Sequence, residues 1–286
     1  MEKKINYIEN DEQLITKALE GDEKSLEKLI SNNQAKLYNL AFKMVMDHDD
    51  ALDLTQEILI KIITNLSSFN SSKAKFTTWA YKIAVNHILN MKKKKFEVRI
   101  NDFQKYTDLI ENLPSHQPEK NPEENILAKE FQAGCMSGMV MCLERTERIA
   151  FILGGIFLLD SKDCSEIMDI TNDNFRKKLS RAKTKLFENM NGICGIVNPD
   201  NKCRCNKKYK NFVNLKMLDS KNLRYSGENL PLIKEKMENK ITKFTNDYYG
   251  PFLEIFRNQV FHEPPDLRDW FKKILKSGDF KEIFNI

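Results

Sequence analysis

The sequence predicts an all-α protein, with two helical units joined by a polar linker and followed by a mostly helical C-terminal extension. Three observations predict it. Leu, Ile, Lys and Glu recur at a spacing near 3.6 through long stretches of the 286 residues. There are only 10 glycines, and no β-branched run alternates with polar residues as a half-buried strand would. The basic excess is also concentrated in one place. The whole chain carries +5, and so does the segment Thr171 to Lys185 alone, where Arg176, Lys177, Lys178, Arg181, Lys183 and Lys185 stand against one acid, Asp173.

From Asp11 to about Lys95 the apolar period is nearly continuous, broken at Asp47-His48-Asp49-Asp50 and again from Ser67 to Lys75. Three or four helices fit a first domain over residues 1–97. Within it, the helix from Asp50 to Asn65 carries an apolar stripe of Ala51, Leu54, Ile58, Ile62 and Leu66. Asp49, Asp53 and Glu57 recur on another face beside Gln56, either as a dock for a basic partner or as solvated surface with a Glu57–Lys61 pair. A polar loop, Ser67 to Lys75, leads into KFTTWAYKIAVNHILNMKKKK. There Phe76, Ala80, Ile83, His87 and Met91 are expected to face the core, which leaves Lys75, Thr78, Lys82 and Asn86 on a polar face. Aromatics interleaved with bases suit single-stranded DNA, with Trp79 read as core rather than as a stacking platform. Residues 98–125 collapse into Asn, Pro, Ser and charge, a linker with at most a short helix. A second helical domain follows over 126–191, then a Gly/Cys/Asn/Pro segment at 192–206. The extension, 207–286, has helical stretches around Leu230 to Tyr249 and Pro265 to Lys276.

The second domain contains the most specific local pattern. Asp160 caps a short helix ending near Met168, Asp169-Ile170-Thr171 forms a tight turn, and the basic segment opens behind small polar residues. This is a helix-turn-helix, whose second helix enters the major groove with bases along its flanks. The turn needs φ > 0 at Asp169, which Asp tolerates less well than Gly. Asp173 at the helix start favours the helix dipole but repels phosphate.

Composition excludes other classes. The longest apolar block, Ile149 to Leu159, is too short to span a bilayer and reads as a buried core helix. The N-terminal MEKKINYIENDEQ has no apolar core of a signal peptide. A cytoplasmic chain without membrane insertion is expected. Its six cysteines are then reduced thiols or metal ligands rather than a disulfide framework. No nucleophile–base arrangement or open metal triad is visible, so no enzymatic activity is expected.

The order of features is more specific than any one of them. LYNLAFKMV, DHDDALDLTQEILIKI, SSF, KFTTWAYKIAVNHILNMKKKK, linker, then DCSEIMDITNDNFRKKLSRAKTKL resembles the bacterial RNA polymerase sigma factors of the extracytoplasmic-function (ECF) group. The resemblance spans roughly Leu14 to Leu186. It rests on Ala-x-Asp-x-x-Gln-Glu (Ala51, Asp53, Gln56, Glu57) and Phe-x-x-Trp-x-x-x-Ile-Ala-x-Asn (Phe76, Trp79, Ile83, Ala84, Asn86). It implies a transcription initiation factor whose partners are core RNA polymerase and promoter DNA, as duplex and as melted strand, together with an anti-sigma or other regulatory protein. By the same resemblance Asp53, Gln56 and Glu57 bind polymerase. Asn70, Ser71, Lys73, Lys75, Thr78, Lys82 and Asn86 contact the melted minus-ten element. Asn172, Asn174, Arg176 and Lys177 lie nearest the bases of the minus-thirty-five element, and Lys178 and Arg181 nearest its phosphates. Two residues depart from the pattern, Asp169 where the family usually has Gly and Asn90 where it commonly has Asp. The alternative reading is a helix-turn-helix regulator of duplex DNA that acts without polymerase.

Cys194, Cys203 and Cys205 look like the cysteine signature of a subset of these factors with C-terminal extensions. No cofactor is required by this reading. Either a fourth ligand completes a structural zinc site, His262 being the only histidine in the extension, or the thiols stay reduced or redox-active. The nearby Lys202, Arg204, Lys207 and Lys208 are expected to lower the thiol pKa values. Cys135, Cys142 and Cys164 fall in helical pattern and are expected in the core.

Overall fold

The computed structural model describes residues 5–118, 121–214, 218, 223, 250–257, 261, 262 and 264–275, and every regular element among them is helical. The helical stretch expected around Leu230 to Tyr249 lies outside the described residues.

The first unit is built from α1 (Ile5–Leu19), α2 (Glu23–Val45), α3 (His48–Thr64) and α4 (Phe76–Asn90). Local chemistry sets the corners. Gly21 at φ +94° turns the chain, and Asp22 then caps α2, accepting from Lys24 N and Ser25 Oγ. Met46, in the left-handed region, ends α2. Asp47 caps α3 by accepting from the backbone N–H groups of Asp49 and Asp50, both at 3.0 Å. The expected stripe of α3 is buried: Ala51, Leu54, Ile58 and Ile62 pack with Leu37 and Leu40 of α2. On α4 the core line runs through Phe76, Ala80, Ala84 and Ile88, with Tyr81 and Val85 beside it. Ile83, His87 and Met91 are only half-buried.

The linker is more structured than its composition suggests. It holds α5 (Lys95–Arg99) and the ten-residue α6 (Phe103–Asn112), capped by Asp102. The turn after α5 is polar in sequence, but Ile100, Tyr106 and Ile110 give the segment an apolar edge that is buried.

The second unit starts at α7 (Pro122–Met141), with Asn121 as its cap and Pro122 in the first turn. Next comes α8 (Arg145–Ala150), which runs straight into a π-helical turn, Phe151–Ile156. The apolar block expected as one core helix is therefore buried but divided. α9 (Ser161–Ile167) and α10 (Asn172–Ile193) form the helix-turn-helix. Asp160 caps α9 with 2.9 Å bonds from Lys162 N and Asp163 N, and Asp169 adopts φ +55° as its turn position requires. α11 (Cys205–Asn214) packs back on α7.

Two helices of the extension, α12 (Gly250–Arg257) and α13 (Arg268–Leu275), cross the body of the molecule. α12 lies on the π-helical turn and α10. The Phe256 ring meets Phe151 at 5.2 Å, Phe252 meets Phe187 at 5.4 Å, and Arg257 Nε donates to the Gly155 carbonyl at 3.0 Å. α13 rests on α2, with Leu267 and Phe271 buried. The extension thus touches both units.

Candidate nucleic-acid and polymerase interface

On α3 the acidic face is where the sequence put it. Asp53 and Glu57 are exposed and Gln56 half-buried, because the opposite face carries the stripe that packs on α2. Glu57 does not pair with Lys61; its Oε2 stands 2.7 Å from His87 Nε2 on α4. That contact explains why His87 leaves the core.

The loop before α4 is shaped by Asn70, whose Oδ1 accepts from Ser72 N at 2.9 Å and Ser72 Oγ at 2.6 Å. Asn70, Ser71 and Lys73 are exposed, as are Lys75 and Asn86. Thr78 is a correction: it is buried. Position 78 lies on the same side of α4 as the buried Tyr81 and Val85, and α4 is covered by neighbouring helices on more than the Phe76–Ala80 line. Trp79 packs against Phe69 and Phe76 at 5.5 and 5.7 Å, a packing role rather than an open platform.

α10 separates its two faces cleanly. Phe175, Ala182, Leu186 and Met190 are buried, while Asn174, Arg176, Lys177 and Arg181 are exposed. Thr171 caps the helix, accepting from Asn174 N at 3.3 Å. Asn172 is half-buried. Lys178 is also half-buried and donates to Thr146 Oγ1 at 3.1 Å, which braces the helix on α8.

The polar face of α4 lies against the first helix and turn of the helix-turn-helix, while the reading face of α10 stays exposed. α4 packs on α9, Lys82 Nζ donates to Asp169 Oδ1 at 2.7 Å, and Lys75 Nζ is 3.7 Å from Asp163. The bond from Lys82 and its charge hold the Asp169 carboxyl below the usual range. Both pairs are solvent-exposed and contribute little by themselves.

A buried cluster that the sequence did not reveal ties the units together. Glu97 accepts from Arg145 Nη2 at 2.6 Å, Arg145 Nε at 2.9 Å and Arg148 Nη1 at 3.0 Å. Arg145 also bonds the carbonyls of Ile88 and Met91 at the end of α4, and Arg148 those of Met44, Met141 and Leu143. Burial pushes the Glu97 carboxyl up, but the Arg145 bonds, the Lys94 N–H and the Arg148 charge outweigh it and leave it below the usual range. A charged Arg148 directly before the apolar run Ile149 to Leu159 was the available signal.

The extension is fixed on α2 around His262. Asn39 and the His262 backbone bond reciprocally at 2.7 and 2.8 Å. The imidazole lies 4.4 Å from the Phe42 ring and 5.1 Å from His48, and Phe261 covers Lys43. This placement removes His262 as a ligand for the cysteine motif. Burial, with the charges of His48 and Lys43, pushes the His262 pKa down to about 3 from 6.5. Docking therefore favours the neutral ring. It should be at full strength above about pH 6.5 and weaken progressively as pH falls toward 3. Hydrogen exchange of α13 measured from pH 7.5 to 5 should show rising opening in the wild type and a flatter response in His262→Phe. Equal pH responses would remove the histidine from this role.

The cysteine expectations need two corrections. Cys142 and Cys164 are buried, but Cys135 is only half-buried and faces the motif. At Cys203 and Cys205 the neighbouring bases are outweighed: burial and the adjacent thiols push Cys205 up to about 12, and Cys203 is raised although Lys208 and Arg204 oppose it.

Residues 29–96 match the family described as Sigma-70 region 2. The chain is 26% identical to the RNA polymerase sigma-H factor of Pseudomonas aeruginosa over 181 residues, 61% of this chain and 91% of that protein. It is 31% identical to the ECF RNA polymerase sigma factor SigM of Bacillus subtilis over 151 residues, 52% of this chain and 85% of that protein. The chain belongs to the ECF RNA polymerase sigma factors. A third relative of this sigma factor is the ECF RNA polymerase sigma-E factor of Haemophilus influenzae, 27% identical over 186 residues, 63% of this chain and 94% of that protein. No helix among the described residues of the sigma factor is long and apolar enough to cross a membrane.

Proposed function

We propose that this protein is a transcription initiation factor that binds core RNA polymerase, directs it to promoters and helps to open them, and that its own C-terminal extension restrains it. The observation that carries the first part, together with the family, is the division of α10 into a buried apolar face and an exposed face bearing Arg176, Lys177 and Arg181. The exposed Asp53 and Glu57 of α3, with Gln56, are the polymerase dock in this reading. Lys75, Lys82 and Asn86, with the loop residues Asn70, Ser71 and Lys73, hold the melted minus-ten strand, and α10 reads the minus-thirty-five duplex. The reading is of a binding factor without covalent chemistry, one of the sigma factors that carry a cysteine motif and an extension.

Restraint is supported by what faces what. Reading two promoter elements somewhat under two duplex turns apart, at about 35 Å per turn, requires the units to separate. In the structure Lys75 and Lys82 instead face Asp163 and Asp169 of the helix-turn-helix, and the extension rests on both units.

Run-off transcription with purified core polymerase on genomic fragments tests the reading. Discrete, protein-dependent start sites are expected. Duplex binding without polymerase-dependent transcripts would mean a regulator acting on DNA alone. Asp53→Ala with Glu57→Ala should abolish co-purification with core polymerase while leaving the circular dichroism spectrum unchanged, since both side chains point away from the packed stripe. Unchanged co-purification would take the acidic face out of the polymerase dock.

A further inference from the structure

Four of the six cysteines gather at one place although 70 positions separate the first from the last in sequence. Cys194 ends α10 and pairs as an isolated parallel bridge with Cys203, with Gly195 N donating to the Cys203 carbonyl at 3.2 Å. The loop between them is closed by its own hydrogen bonds. Asn198 N bonds the Cys194 carbonyl at 2.9 Å, and the Arg204 guanidinium donates to the carbonyls of Asn201, Cys203 (2.9 Å) and Pro199 (2.7 Å). A side chain on Gly195 would collide with Arg204 and the Cys203 carbonyl, so the loop closes tightly there.

Cys205, two residues after Cys203, opens α11. That helix lies on α7 with Phe212 edge-on to Phe131 at 4.7 Å. Two helical turns before Phe212 comes Cys205, and one turn after Phe131 comes Cys135, so helices running in opposite senses bring these two thiols together. The electrostatic neighbours of the Cys135 thiol are Cys205, Cys194 and Cys203. Among the described residues, no group of three or more His, Cys, Asp or Glu is already placed to hold a metal ion, so a metal would have to draw these four neighbouring thiols together.

We propose that Cys135, Cys194, Cys203 and Cys205 form a closed four-thiolate site for a structural zinc ion, which fastens the end of the recognition helix to α7 and α11. Four sulfur ligands in a tetrahedron make a structural rather than a catalytic site. The chemistry favours metal over redox sensing. Reactive sensor thiols are exposed, whereas these four are half-buried. A divalent cation binds the deprotonated thiols and releases their protons. The site also stands clear of DNA. α10 is 22 residues long, so at about 1.5 Å per residue Cys194 lies roughly 33 Å from the end that reads bases.

Full-length protein purified without chelator should contain about one zinc per chain by elemental analysis. Replacement with Co2+ should give the sulfur-to-metal charge-transfer and tetrahedral d–d absorption of four thiolates. Cys135→Ser should lower the zinc content to near zero, whereas Cys164→Ser, a buried thiol elsewhere, should keep it. Because a serine variant can fail for want of folding, the cobalt spectrum of the unmodified protein is the deciding measurement. No tetrahedral thiolate spectrum, with six titratable thiols and no zinc, overturns the proposal. A Cys135→Ser protein that keeps a full complement of zinc overturns the assignment of the fourth ligand.

Discussion

Replacing Glu97 by Ala should destabilise the protein by about 3–5 kcal/mol, the usual cost of removing one partner from a buried ion pair. The Glu97 and Arg148 side chains are only 1% and 4% exposed, so the substitution strands a guanidinium where water cannot reach it. Against a total stability of about 5–15 kcal/mol, this lowers the melting temperature by roughly 6–20 °C. Substituting Glu97, Arg145 and Arg148 together with apolar residues of similar size should restore much of the loss, because the stranded charge rather than the missing attraction dominates. The effect also has a pH signature. The Glu97 carboxyl is held below its ordinary value of 4.5 in the folded protein, so its contribution is fully present above that value and is lost as pH falls through the folded pKa. Thermal unfolding of wild type and Glu97→Ala should therefore converge in acid. A constant difference down to pH 3 would place the cost elsewhere.

Phe256→Ala should release the extension. The side chain is fully buried and meets both Phe151 and Phe252 at 5.2 Å, and truncating such a ring costs about 3–5 kcal/mol. The loss falls on the docking of a short helix, not on the cores of the two units. The expected result is a body that unfolds nearly as before, with α12 and α13 rapidly exchanging their amide hydrogens and promoter-dependent transcription raised above wild type. A chain ending at residue 249 should behave alike. Transcription unchanged in both proteins, across several promoters, would leave the extension without a restraining role.

What could be read from the sequence was what local chemistry determines. Asp160 and Thr171 act as caps, and Asp169 takes a positive φ, because each is decided within a few residues of backbone. The acidic face of α3 was legible because a strong stripe left only one way for that helix to lie. On α4 the stripe was misjudged. Ala84 and Ile88 form the core line with Ala80, but Ile83 and His87 offered larger residues at nearly the same period, and the error carried Thr78 to the wrong face. Contacts across many residues left little trace. Apart from the position of Arg148 directly before an apolar run, Glu97, Arg145 and Arg148 look like solvated charge until α5 and α8 are brought together. Cys135 looks like a core residue until α11 returns to α7.

The triad of Glu97, Arg145 and Arg148 also bears on how the two units would part in the proposed function. An apolar seam of the same size resists separation, because parting it exposes oily surface to water. A seam held by full charges differs, since each group regains hydration when it parts and the attraction lost is largely compensated. Substitution deprives one charge of its partner while water is still excluded; opening hydrates all three at once. The arrangement is therefore brittle toward single mutations and forgiving toward motion. Those are the properties of a hinge that must hold when shut and yet open repeatedly against a modest pull.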